Sequence, residues 1–223
     1  MAVAAPPKLR DYWIVNAAFI MVCLLALSFW GDAGSLHRLQ AVLDPGIERS
    51  HIRVFSDFAL YVFYLFFGVS LVRSYLRADR RRMKILQAYL LAEFLGSVVL
   101  VRSFKMLLGR ARPDAGLGDE FFGFAWNPKF HAFPSGHAVD IWICAFFACL
   151  LLPNRWQRGV AVAVAVLVSV TRLAMNVHWP SDVLAGALVG SGVSLLVYRY
   201  WLAPRLIGLP SSGSSAISAT PPL

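Results

Sequence analysis

Six stretches of the chain, near residues 12–30, 54–72, 85–104, 136–152, 159–177 and 182–202, run for roughly 17–22 residues each with few charges. Coiled as a helix at about 1.5 Å per residue, such a stretch covers the roughly 30 Å of hydrocarbon in a bilayer. No water is present there to satisfy backbone N–H and C=O groups, so the segment must close its own hydrogen bonds, as an α-helix does. The pattern predicts an all-α protein, a six-transmembrane-helix bundle, and excludes an ordinary soluble domain. Composition agrees: 58% of the 223 residues are apolar, 15% are charged, and the mean hydropathy is +0.63.

The first stretch follows Lys8 and Arg10 as a signal peptide would, but its apolar run is longer than a typical signal core and no small-x-small cleavage site follows. It reads as a retained first helix. Residues 1–208 read as one membrane-embedded domain, and the Ser/Pro/Gly-rich segment 209–223, LPSSGSSAISATPPL, as a disordered tail. Cys23, Cys144 and Cys149 all lie inside apolar stretches, without metal-knuckle or disulfide spacing, and read as small core residues.

The net charge of +9 does not indicate a nucleic-acid partner, because most Lys and Arg residues flank the spans, where they report orientation. In a six-span layout 12 fall on one side and 9 on the other, and the RADRRRMK cluster between the second and third spans dominates the bias. This predicts cytoplasmic N- and C-termini.

Three polar clusters interrupt the apolar pattern. In KMLLGRARP, Lys105 and Arg112 are seven residues apart; on a continuous helix they would share a face about 10 Å apart and could converge on one anion before Pro113 ends the helix. Alone, they also fit cations reaching for the interface. In FPSGHAVD, Ser135 is a candidate N-cap, and the helix amides behind it, with Gly136 among them, suit an anion. His137 stands in that first turn, and Asp140, one turn on, either orients His137 or favours the positive helix end. Alone, this is a capped helix with an interfacial histidine. In TRLAMNVHWPSD, Arg172 ends the fifth span, His178 follows, and Asp182 lies in the first turn of the sixth after Pro180 at its first position. A charge buried mid-bilayer costs roughly 3 kcal/mol or more, so such charges are functional or paired. An Arg172–Asp182 ion pair is the structural alternative.

Topology joins the clusters. The first and second flank one loop, and the second and third are separated by two crossings, so all three emerge opposite the RADRRRMK loop. Three cations and helix amides suit a multiply charged oxyanion, phosphate above all. A metal site of His137, His178 and Asp182 is disfavoured by those same cations. Phosphoryl transfer needs an in-line nucleophile and a proton for the leaving oxygen, and two histidines can divide these tasks. Asp182, four residues after His178, suits His178 as nucleophile and leaves His137 as acid.

In order along the chain, Lys105 to Pro113 fits K-x6-RP, Pro134 to His137 is PSGH, and Arg172, His178 and Asp182 fit R-x5-H-x3-D. Together they resemble the signature motifs of the type 2 phosphatidic acid phosphatase (PAP2) superfamily, which is related to vanadium haloperoxidases. The resemblance implies a PAP2/haloperoxidase-like core and a membrane lipid phosphatase that uses a phosphohistidine intermediate and neither metal nor cofactor. It implies phosphate binding by Lys105, Arg112, Ser135, Gly136 and Arg172, attack by His178 with support from Asp182, and leaving-group protonation by His137. Thr171 stands where the family has serine. The implied partners are a membrane lipid phosphate or pyrophosphate and the bilayer, and the implied location is the bacterial inner membrane with the site facing outward. Phosphatidylglycerol phosphate, undecaprenyl pyrophosphate, phosphatidic acid and a lipid A phosphate present the same group to these residues. A lipid-to-lipid phosphotransferase and an anion transporter are the competing readings. The aromatic loop Leu117 to Phe133 reads as an interfacial lid or shallow helix that guides a lipid headgroup, or as an aromatic belt, and Glu93, in the third span, as a residue paired to another helix.

Overall fold

The computed structural model describes residues 7–42 and 49–207, and is helical apart from turns and one loop region. The expected disordered tail, 209–223, lies outside the described residues. Helix α1 is Arg10–Val42 and α2 is Arg49–Leu76. Helix α3, Arg80–Glu93, continues through a π-helical segment, Phe94–Val101, into α4, Arg102–Leu108. Then come α5, Gly136–Leu151, and α6, Arg155–Ala174. Helix α7, Pro180–Leu196, passes through a second π segment, Val197–Leu202, into the short α8, Ala203–Leu206.

Five of the six expected spans are helical rods long and apolar enough to cross a membrane: Arg10–Val42, Arg49–Leu76, Arg80–Leu108, Arg155–Ala174 and Pro180–Leu206. The sixth, α5, has only 16 residues, about 24 Å. Beyond Asp140 it is apolar on all sides, and it sits at the centre of the bundle, packed against α1, α2, α3, α6 and α7. Trp142, Phe146 and Phe147 on it are fully buried. The chain is an integral membrane protein of the all-α class.

Among hydrocarbon neighbours the hydrophobic effect does not drive helices together, so close packing and interhelical hydrogen bonds must. Both are present. Tyr12 Oη lies 2.8 Å from Ser191 Oγ, Asn16 donates to the same oxygen at 3.0 Å, and Trp142 Nε1 donates to Ser169 Oγ at 3.2 Å, tying α1, α5, α6 and α7. Gly186 and Gly190, one turn apart on α7, lie against α5: a Cβ on Gly186 would come 2.6 Å from Ala138 Cβ, and one on Gly190 2.6 Å from Val139 O. This Gly-x-x-x-Gly contact sets α7 directly on the first turns of α5.

Two features differ from the sequence expectation. Helix α4 ends at Leu108, not at Pro113, because Gly109 takes a left-handed conformation (φ 50°, ψ 63°). A side chain there would meet Gly123 O at 1.9 Å, so the turn and the return of the loop both require glycine. Arg112 is therefore extended, off the helix (φ −77°, ψ 151°), and does not share a helix face with Lys105. Helix α1 also breaks at Gly31 (φ 64°, ψ −172°), in a region open essentially only to glycine, and redirects the chain just before Asp32.

Candidate active site

The clusters meet at one end of the bundle. The loop after α4 doubles back over it: Phe122 N donates to Gly109 O (2.9 Å), Gly123 N to Leu108 O (3.1 Å) and Ala125 N to Met106 O (3.0 Å). Two 3-10 turns, Pro113–Ala115 and Pro128–Phe130, shape the loop. Phe121, Phe122, Phe124 and Trp126 are exposed on it. It contains no α-helix, so a shallow interfacial helix is not what these residues form. Arg112 N donates to Lys129 O at 3.0 Å, which returns Arg112 toward the site.

The second cluster is tied to the third through the backbone, with Ser135 N donating to Asp182 O at 3.0 Å. Ser135 is the N-cap of α5, yet its side chain caps nothing, and its buried Oγ has no partner among the described residues. Gly136 leaves room for the first cluster: a Cβ there would lie 3.5 Å from Lys105 Nζ. Lys105, Gly136 and His137 line a cavity of about 500 Å³ together with Ser97, Arg102 and Asp140. Arg112 and Arg172 lie close enough to Lys105 for their charges to bear on it. Arg112, Ser135, Arg172, His178 and Asp182 are not on the cavity wall. All but half-buried Arg112 are buried.

Helix α6 ends at Ala174 and closes in a tight turn through left-handed Asn176, held by Gln40 Nε2 at 2.8 Å. His178 sits just after this turn. It is 2% exposed, and its buried Nδ1 is 3.6 Å from Asp182 Oδ2, beyond hydrogen-bond reach, with no partner among the described residues. Burial lowers its pKa to about 4, against the pull of Asp182 and with the added repulsion of Arg172 and Lys105, so the imidazole is neutral near pH 7. Asp182, fully buried, also caps its own helix by accepting Trp179 N at 2.8 Å, with Pro180 at the helix start.

The alternative Arg172–Asp182 pair does not form. Asp182 Oδ1 is held by Arg110 Nη1 at 2.6 Å. Arg172 donates to Ser56 Oγ at 3.4 Å, and its Nε is buried without a partner among the described residues. Nor does Asp140 orient His137: His137 Nε2 lies 2.9 Å from Asp57 Oδ1 on α2. Asp140 instead contacts Ser97 Oγ, which also bonds Glu93 Oε2 at 3.2 Å. Glu93 is thus paired to α5 as well, through Cys144 Sγ at 3.5 Å. Thr171 Oγ1 donates to Val168 O on its own helix at 2.6 Å, turned away from the site.

Sequence reasoning missed Arg110, Asp32, Ser56 and Asp57. Arg110 is one residue of the unspecified six in K-x6-RP, and the other three lie in α1 and α2 outside every motif. A charge at the end of an apolar helix, as at Asp32 and Asp57, was the only available signal. Among the described residues no three His, Cys, Asp or Glu side chains gather as metal ligands would.

A family described as the PAP2 superfamily matches residues 82–205, more than half of the chain. The chain belongs to this superfamily. The PAP2 match begins at the start of α3 and contains all three motifs, leaving α1 and α2 outside it. A lipid A 1-phosphatase of Rhizobium etli is 32% identical over 201 residues, covering 85% of this chain and 84% of the relative. An undecaprenyl-diphosphatase of Sulfolobus acidocaldarius is 32% identical over 116 residues, 52% of this chain and 55% of the relative. Phosphatidylglycerophosphatase B of Escherichia coli is 32% identical over 83 residues, 34% of this chain and 31% of the relative. No solved structure matches the chain.

Proposed function

We propose that this PAP2 protein is a lipid phosphate phosphatase that cleaves a phosphoric ester or anhydride at the extracytoplasmic end of the bundle, through a phosphohistidine on His178. The observation that carries the reading is the placement of buried polar atoms without partners. Arg112 Nε, Ser135 Oγ and Arg172 Nε are of this kind, and a fourth, His178 Nδ1, faces Asp182 Oδ2 at 3.6 Å. Ser74, Gln157 and Arg158 are the others among the described residues, and they belong to the end of α2 and the start of α6, at the opposite end of the bundle. An unsatisfied buried polar group costs about 1–3 kcal/mol, and a phosphate at the three motifs offers acceptors to two guanidinium groups and a hydroxyl at once.

The chemistry follows from the geometry. Lys105, Arg112 and Arg172, with Ser135 and the first amides of α5, neutralise the phosphoryl oxygens. His178 Nδ1–H faces Asp182, so the Nε2 lone pair attacks phosphorus while the bond to the lipid oxygen breaks. Because His137 Nε2 is committed to Asp57, the proton for the departing oxygen comes from His137 Nδ1. Asp182 balances the positive charge that forms on His178. His137, now neutral, takes a proton from water as its oxygen attacks phosphorus. The P–N bond breaks, and inorganic phosphate leaves.

The RADRRRMK loop and the other basic residues at the start of α1 and α6 favour cytoplasmic termini, and this bias supports a site on the outer side of the inner membrane. The relative matched along most of its length acts, by its name, at the 1-phosphate of lipid A, and that group is the first substrate to test.

The test is release of inorganic phosphate from a lipid A phosphate, undecaprenyl pyrophosphate, phosphatidylglycerol phosphate and phosphatidic acid, in detergent, by wild type and His178→Ala. Release by wild type from at least one of these lipids, its loss in His178→Ala and its survival of chelator are the expected results. Full activity in His178→Ala, or loss on chelation, contradicts the mechanism. A labelled acceptor lipid in the same assay separates hydrolysis from phosphotransfer, because transfer phosphorylates the labelled lipid and leaves no free phosphate.

A further inference from the structure

We infer that Asp32 and Arg110 are positioning residues, a charge clasp from the end of the first transmembrane crossing that fixes the Asp182 carboxylate against His178. The inference rests on the phosphohistidine reading above. Four arginine and lysine side chains surround this region, but Arg110 differs from the other three. Its Nε donates to Asp119 O at 2.9 Å, its Nη1 to Ser181 Oγ and to Asp182 Oδ1, both at 2.6 Å, and its Nη2 to Asp32 Oδ2 at 2.7 Å. The guanidinium is 3% exposed and stands over the rings of Phe121 and Trp179. Every nitrogen is engaged within the protein, so Arg110 is not a phosphate ligand.

Its work falls on Asp182. Oδ2 of that carboxylate accepts Trp179 N–H and faces His178, and Oδ1 is fully buried with Arg110 as its charged partner. Holding both oxygens fixes the carboxylate plane, and hence the tautomer of His178 and the direction of its Nε2 lone pair. Asp32 supplies what Arg110 alone cannot. A single guanidinium against Asp182 would cancel the charge that has to stabilise the His178 cation. The Asp32–Arg110–Asp182 set carries a net charge of −1, which preserves it. Asp32 also anchors the start of α7, with Oδ1 accepting Ser181 N at 2.8 Å and Oδ2 accepting Ser181 Oγ at 2.5 Å. Gly31, in its glycine-only conformation, turns Asp32 onto α7.

The test uses the full chain in detergent and compares steady-state hydrolysis of the lipid phosphate by Asp32→Asn and Arg110→Lys, with His178→Ala alongside and a thermal midpoint for each. Asp32→Asn keeps the shape and removes the charge. The expected result is a kcat about 10- to 100-fold below wild type, the size of loss that follows a small misplacement of a reacting group. KM should stay within about twofold, since the phosphate ligands are untouched, and Asp32→Asn should still unfold cooperatively, at a midpoint lowered by the loss of one buried charge partner. A kcat within about twofold of wild type in Asp32→Asn overturns the clasp, as do equal losses in kcat and in binding. Collapse of the fold in both variants also overturns it, in favour of a purely structural role. Activity retained in His178→Ala overturns the phosphohistidine reading, whereas an inactive His178→Ala beside a fully active Asp32→Asn overturns the clasp alone.

Discussion

Gly186→Ala should weaken the enzyme far more than one methyl group suggests, because the methyl falls where two of the three motifs meet. Its Cβ would lie 2.6 Å from Ala138 Cβ and 2.7 Å from Ser135 O, against the roughly 3.5–4.0 Å of ordinary carbon contact. Neither neighbour is a flexible side-chain end, so α7 must move off α5 by about 1 Å. Overpacking of that kind costs about 1–3 kcal/mol, partly offset by the roughly 1 kcal/mol that alanine gains over glycine within a helix. The net loss of stability is therefore small, about 0–2 kcal/mol. Catalysis should suffer more, because α7 carries Asp182 and follows His178, while α5 begins at Ser135, Gly136 and His137; a shift of about 1 Å between them costs as much as 100-fold in rate. Gly192 on the same helix is the control, with nothing within 4 Å of its Cβ. Gly192→Ala should be neutral or slightly stabilising and fully active. Phosphate release and thermal midpoints of the two variants, measured side by side in detergent, decide the matter. Equal activity in both refutes the argument that this glycine contact sets the spacing of the site.

Three further outcomes follow. Asp57→Asn should lower kcat about 10-fold, a typical loss for general acid catalysis impaired but not removed, because His137 loses the carboxylate 2.9 Å from its Nε2; unchanged kcat excludes that role. Gly31→Ala should lower stability by about 1–3 kcal/mol although, among the described residues, nothing beyond its own neighbouring backbone lies within 4 Å of the new methyl, since the cost is in the backbone; an unchanged thermal midpoint contradicts this. The pKa of His178 is about 4 in the folded protein against an ordinary 6.5. The unfolded chain therefore takes up this proton first as pH falls, so the contribution of His178 to stability is full above about 6.5, is lost toward 4, and levels off below. Formation of the phosphoenzyme should likewise lose its nucleophile only near pH 4, and a limb near 6.5 that disappears on perturbing Asp182 would contradict the buried, neutral state.

The class of the fold was legible because the bilayer imposes length and apolarity on every crossing. Central α5 was legible for the same reason, though its burial by protein on all sides, not by lipid, could not be read from an apolar run. The positions of the motif residues followed from counting crossings. The local geometry did not: the end of α4 at Gly109 depends on a loop carbonyl 14 residues later, so Arg112 could not be placed by helical periodicity. Asp57 and Asp32 were hidden because each acts across the bundle on a motif residue, and a single sequence carries no trace of that distance. Asp140 was readable as a carboxylate one turn from His137, but its choice of Ser97 over His137 was fixed by the neighbouring π-helical segment, which no local pattern announced.

The most direct measurement is chemical trapping of the intermediate. Wild-type protein mixed with a lipid substrate labelled in its phosphate, quenched within one turnover and digested, should carry label on the peptide containing His178, stable in base and lost in acid, as a phosphorus–nitrogen bond requires. His137→Ala, which lacks the acid of the first step and the base of the second, should both gain and lose this label more slowly than wild type. Label on a serine or carboxylate, or turnover with oxygen from water entering phosphate in a single displacement and no labelled histidine, would contradict the account.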